Sequence, residues 1–108
     1  PITTEPIAPA VQIAPDTLDL RSRGVFTAYV TPEETLPSGY RAEDIDISTV
    51  ECNGAPAVRG TVEDGTLVVH FNRQDLVDVP TGDEVTLTVT GEFYYGIPFE
   101  GSYVIRVI

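Results

Sequence analysis

The sequence predicts an all-β fold, an antiparallel β-sandwich of about seven or eight short strands. Three observations lead there. From Asp83 to Ile108 apolar and polar residues alternate at period two, with a break at Tyr95-Gly96-Ile97-Pro98, as in a long hairpin with one buried face. Shorter runs of the same period recur upstream. Between the runs stand turn formers such as Asn53-Gly54 and Glu63-Asp64-Gly65.

Taken in order, residues 1–10 carry Pro1, Pro6 and Pro9 among small and β-branched residues. Proline fixes φ and removes ladder donors, so this stretch reads as an extended linker or N-terminal arm ahead of a sandwich spanning residues 11–108. Val11-Gln12-Ile13 begins the first strand and Pro15 stops it. Asp16 to Leu20 approaches a second. Gly24 opens a third, with Phe26, Ala28 and Val30 on one face and Val25, Thr27 and Tyr29 on the other; Pro32 ends it. Glu33 to Asp44 has no periodicity and is read as a loop. In Ile45 to Cys52 the apolar parity changes between Ile47 and Val50, which calls for a bulge near Ser48-Thr49. Ala55 to Val62 contains Pro56 and reads as an edge strand. Thr66 to Asn72 turns Leu67, Val69 and Phe71 inward. Arg73 to Val77 is read as one helical turn capped by Asn72, and Pro80 to Asp83 as the turn into the last hairpin. The expected inter-sheet layer is Phe26, Val30, Ile47, Val69, Phe71, Leu87, Val89, Phe99, Ile105 and Val107.

With 108 residues, 42% of them hydrophobic, the chain can bury one real core. No apolar run approaches the roughly 18 residues of a membrane helix. No secretory leader pattern is present, and the chain opens on Pro1, so it reads as a mature or excised piece of a longer precursor. Seventeen acidic residues oppose six basic ones, all arginine, for a formal charge of −11. Such a surface repels phosphate backbones and argues against a nucleic-acid partner. Cys52 is the sole cysteine, so no internal disulfide can form; it reads as a small buried strand residue.

Residues for covalent chemistry are sparse. His70 is the one histidine and lies between inward-facing Val69 and Phe71, so it points outward. A nucleophile, base and orienting group cannot be assembled around it, and no enzyme is expected. One histidine and one cysteine cannot hold zinc. Calcium is the ion these carboxylates could take, at Glu63-Asp64 or Asp44 with Asp46, and next at Asp16 with Asp19 or Asp75 with Asp78. None of these matches an EF-hand loop. For ligand binding, the consecutive aromatics Phe93, Tyr94 and Tyr95 near the hairpin tip are the first candidates for a carbohydrate platform, with Tyr29 and Tyr40 behind them. The N-terminal arm also offers a segment that could add itself to a neighbouring copy's sheet, as in a filament or surface layer.

Several segments carry a family likeness. Val11 to Leu20, then Arg23-Gly24-Val25-Phe26-Thr27, then Pro37-Ser38-Gly39-Tyr40 come first. Asp44 to Val50, Asn53-Gly54, His70 to Leu76, Gly82 to Gly91 and Phe99 to Val107 follow in order. Together they resemble a module found at the ends of secreted and surface proteins of archaea and bacteria. The resemblance implies an immunoglobulin-like sandwich without catalytic residues or cofactor, outside the cell or on its surface. Its partners would be other domains of the parent protein or copies of itself. The relatives' D-x-D-G-D-G-x-x-D insertion, similar to a calcium loop, is reduced here to Glu63-Asp64-Gly65.

Overall fold

The computed structural model describes residues 9–32, 41–94 and 96–108. The proposed N-terminal arm up to residue 8, most of the 33–44 loop with Tyr40, and Tyr95 lie outside them. Among the described residues there are eight strands. They are β1 (Ala10–Ala14), β2 (Thr17–Leu18), β3 (Val25–Thr31), β4 (Ile45–Cys52), β5 (Ala55–Glu63), β6 (Thr66–Asn72), β7 (Gly82–Phe93) and β8 (Pro98–Val107). Hydrogen bonding links them in the order β1-β3-β6-β5-β4-β7-β8-β2, and β1 comes back to lie against β8. The fold is all-β, a mixed and nearly closed, barrel-like sheet.

Two tight turns set the middle of the chain. Cys52 pairs with Ala55 and Glu63 with Thr66, leaving the two-residue loops Asn53-Gly54 and Asp64-Gly65. All four loop residues have positive φ, at 46°, 88°, 50° and 78°, the backbone that matches the twist of a hairpin. Asn53 is held further: its Oδ1 accepts the Thr88 N–H at 2.8 Å and its carbonyl accepts the Val77 N–H at 2.9 Å.

The parity change in β4 is a wide bulge. Asp46 pairs with Glu92 but Glu51 pairs with Thr90, so extra β4 residues loop out opposite Gly91. Side chains satisfy the backbone that the bulge frees. Thr49 Oγ1 accepts the Glu92 N–H at 2.8 Å and donates to the Asp46 carbonyl at 2.7 Å. Asp46 Oδ1 accepts from the Ser48 N–H and hydroxyl.

Strand β5 is not a simple edge. Its first residues, Ala55 and Pro56, pair with β4, and from Ala57 onward its ladder is with β6 alone. Pro56 therefore stands at the changeover, where a missing N–H costs no ladder bond. The predicted turn after β6 is a 3₁₀ turn, Arg73–Asp75, and the Asn72 side chain does not cap its backbone; Asn72 Nδ2 reaches Asp75 Oδ2 instead, at 3.5 Å. A second 3₁₀ turn, Ala42–Asp44, falls at the end of the expected loop and buries Ala42.

The uniformly antiparallel expectation is corrected at β2, which runs parallel to β8 through Thr17↔Arg106 and Leu18↔Val107. Pro15 has no N–H to extend the ladder with β3. The chain continues in the same direction and takes up the free edge of β8.

Every buried side chain among the described residues is apolar. Of the expected core, Ile47 alone is half-buried, packed against the rest. Phe26 stacks on its cross-strand partner Phe71 with ring centroids 5.3 Å apart, and Phe93 meets Phe99 edge-on at 5.8 Å. Gly101 lets β1 approach β8: a Cβ there would strike Val11 and lie 3.0 Å from the Pro9 carbonyl.

Phe71→Ala is expected to lose about 3–5 kcal/mol in chemical denaturation, the cost of emptying a large core site. Gly101→Ala should lose about 1–3 kcal/mol by overpacking. Combining it with Val11→Ala should return part of that loss, because the added methyl then has room; strictly additive losses would refute the contact.

Candidate functional site

Of the three aromatics at the hairpin tip, Phe93 is closed to a ligand. It follows Val85, Leu87 and Val89 on the inward parity of β7 and is 1% exposed. Its own N–H bonds the Ile97 carbonyl at 2.9 Å, which closes the turn. Tyr94 is 70% exposed, and its N–H bonds the Asp44 carbonyl at 2.7 Å. Tyr95 lies outside the described residues. Among the described residues the tip presents one exposed aromatic ring, that of Tyr94.

The acidic candidates are spread apart. Among the described residues no three of His, Cys, Asp and Glu converge on a point where an ion could sit. Asp46 is occupied in the β4 bulge, and Glu63 and Asp64 form one side of a hairpin turn. Asp19 Oδ1 accepts the Arg21 N–H at 2.9 Å, and that backbone bond, ahead of the nearby guanidinium charge, holds its carboxyl below the usual value.

His70 and Cys52 have structural places. His70 Nδ1 meets the Thr27 hydroxyl at 3.0 Å across the β3–β6 pair, on the outward face. Cys52 is fully buried at the end of β4, and burial pushes its thiol pKa up to about 12. The thiol therefore stays protonated where a nucleophile needs thiolate.

Two features escaped the sequence reading. The first is the junction of β2 with β8. Arg106 N–H bonds the Asp16 carbonyl at 2.9 Å, Ile108 N–H the Leu18 carbonyl at 2.9 Å, and Leu20 N–H the Ile108 carbonyl at 3.0 Å. Leu18 and Val107 are buried beneath them. The second is a half-open recess of about 290 Å³ beside β1, lined by Ala10, Val11, Gln12, Tyr29, Thr31 and Tyr103. Tyr29 was visible as an outward strand aromatic. Nothing in the local pattern brings it near Tyr103, because β1 and β8 meet only through tertiary closure.

Comparison with known protein families, curated proteins and solved structures finds no match to this chain.

In the folded protein Cys52 should resist alkylation by iodoacetamide at pH 8 and react once denaturant is added, as mass spectrometry would show. Rapid labelling of the native chain would contradict the burial.

Proposed function

We propose that this chain is a non-enzymatic structural module, an immunoglobulin-like sandwich set in series with other domains of a secreted or cell-surface protein. The observation that carries the reading is the direction of its outer strands. β1, β2 and β8 all run the same way: β1 lies against β8 near Gly101, while β2 pairs with β8 at Arg106 and Val107. At ~3.3 Å per residue, the stretch from Gly101 to Val107 separates the two levels by roughly 20 Å. Segments joined before β1 and after β8 would be held apart along the strand axis, the arrangement a spacer needs.

The strand pairing supports the immunoglobulin-like assignment. Four strands in the order β1-β3-β6-β5 and three in the order β4-β7-β8 reproduce the order of the constant-type sandwich, with β2 added at the β8 edge. The sequence resemblance points the same way. The charge of −11 suits a soluble, mutually repelling surface module.

Once β1 has been drawn from its ladder with β3, tension between the ends would pull β2 toward its N-terminus and β8 toward its C-terminus. Their three backbone hydrogen bonds would then be loaded together in shear, rather than one after another. Forced unfolding is governed by the unfolding barrier, so bonds placed here have most effect on the unfolding rate.

Single-molecule stretching tests this reading. Leu20→Pro removes one of the three donors, each worth about 1 kcal/mol, and should speed forced unfolding by up to about five-fold. Thr49→Val removes hydrogen bonds of similar worth in the β4 bulge, away from the line of force. It should lower equilibrium stability as much but change the unfolding force less. Equal effects of the two substitutions on force would overturn the proposal.

A further inference from the structure

The recess beside β1 has an unusual chemical character for this protein. Its six described lining residues include no charged side chain, in a chain with seventeen acids. It holds two phenols, a carboxamide and a hydroxyl on an apolar base of Ala10 and Val11.

The polar groups are unspent. The side chains of Gln12, Tyr29 and Tyr103 make no hydrogen bond to another described residue, and only the Thr31 hydroxyl is engaged, with Thr66 at 3.0 Å. Gln12 and Tyr29 are cross-strand partners on the outward face, both exposed, so they stand side by side. Tyr103 comes from β8 and is half-buried against the core. All six residues sit on strands, which fix their positions better than loops do.

We propose that this recess is a binding site for a neutral sugar unit of a polysaccharide. Its described lining has no cationic side chain to neutralise an anion and no carboxylate to hold a cation. A neutral pyranose matches what remains. Its hydroxyls can bond the Gln12 amide and the tyrosine hydroxyls, and its C–H face can pack on an aromatic ring. The volume suits one ring rather than an extended chain. This site is separate from the hairpin tip, and it does not depend on the mechanical role proposed above.

The test uses the full chain and isothermal titration with a panel of neutral oligosaccharides, namely cello-, malto-, manno-, xylo- and chitohexaose, and with polygalacturonate as the acidic control. Binding of at least one neutral member is expected in the micromolar to millimolar range. Tyr29→Ala and Gln12→Ala should each weaken it about ten-fold, about 1.4 kcal/mol, and Tyr103→Phe should weaken it while keeping the packing. Tyr94→Ala at the hairpin tip should leave it unchanged. Unaltered thermal unfolding of Gln12→Ala and Tyr103→Phe separates a lost site from a lost fold. Three results overturn the proposal: no binding by any neutral member, binding that survives Tyr29→Ala and Gln12→Ala, or preference for polygalacturonate. Concentration-dependent dimerisation abolished by Tyr29→Ala, seen by light scattering without sugar binding, would also overturn it and assign the recess to a second copy.

Discussion

Closure of the sheet is the constraint on which the rest of this fold depends. From β1 to β8 the order passes through six antiparallel steps, so the two strands that face each other across the gap must point the same way. An antiparallel seam cannot form there. The chain bridges the gap in two ways. Side-chain packing joins β1 to β8, with Val11 seated on Gly101. A short parallel ladder then joins β2 to β8 beyond Pro15. A similar device works between β4 and β5, whose ladder ends at Pro56. A Cβ on Gly60 would lie 3.2 Å from Ile47 Cδ1 and 2.8 Å from Val69 Cγ1, so the bare glycine makes room for both. Two glycines thus let the curved sheet close over a core with no buried polar side chain among the described residues.

Closure also explains what could be read from the sequence. Local rules governed the strands and the tight turns: period-two parity set the inward faces of β3, β6, β7 and β8, and Asn53-Gly54 and Asp64-Gly65 adopt the positive φ values those residues tolerate. The parity change in β4 was legible too, because it breaks the alternation within one strand. Its size was not, since the bulge is stabilised by Thr49 reaching the Glu92 backbone on a distant strand. The parallel β2–β8 pair was hidden for the same reason. Two residues of ladder leave no periodic signal, and the pairing follows from how the whole sheet turns.

The candidate site was less legible than the fold. Three neighbouring aromatics suggested a platform at the hairpin tip, yet extending the β7 parity by two positions beyond Gly91 places Phe93 inside. The recess draws its lining from β1, β3 and β8, which lie far apart in sequence. Only Tyr29 signalled itself, as an aromatic opposite inward-facing residues. Gln12 and Tyr103 gain meaning only when closure brings the first strand against the last.

The distribution of charge ties these features together. Glu51, Glu92 and Glu100 are exposed among threonines on the outward face of β4, β7 and β8, where Thr88 and Ser102 hydroxyls meet at 3.1 Å. That face is strongly hydrated and repels its own copies, which protects a β protein from stacking. The outward face of β1, β3 and β6 is different, with Gln12, Thr27, Tyr29, Val68 and His70 and no carboxylate among these positions. A module that only spaced its neighbours would gain solubility from acids on both faces. Charge returns on this face only at β5, with exposed Arg59 and Glu63, so the positions nearest the seam are the least charged among the described residues. The same closure that seats Val11 of β1 on Gly101 of β8 also brings Tyr103 beside Gln12 and Tyr29, so the recess is a product of closing the sheet.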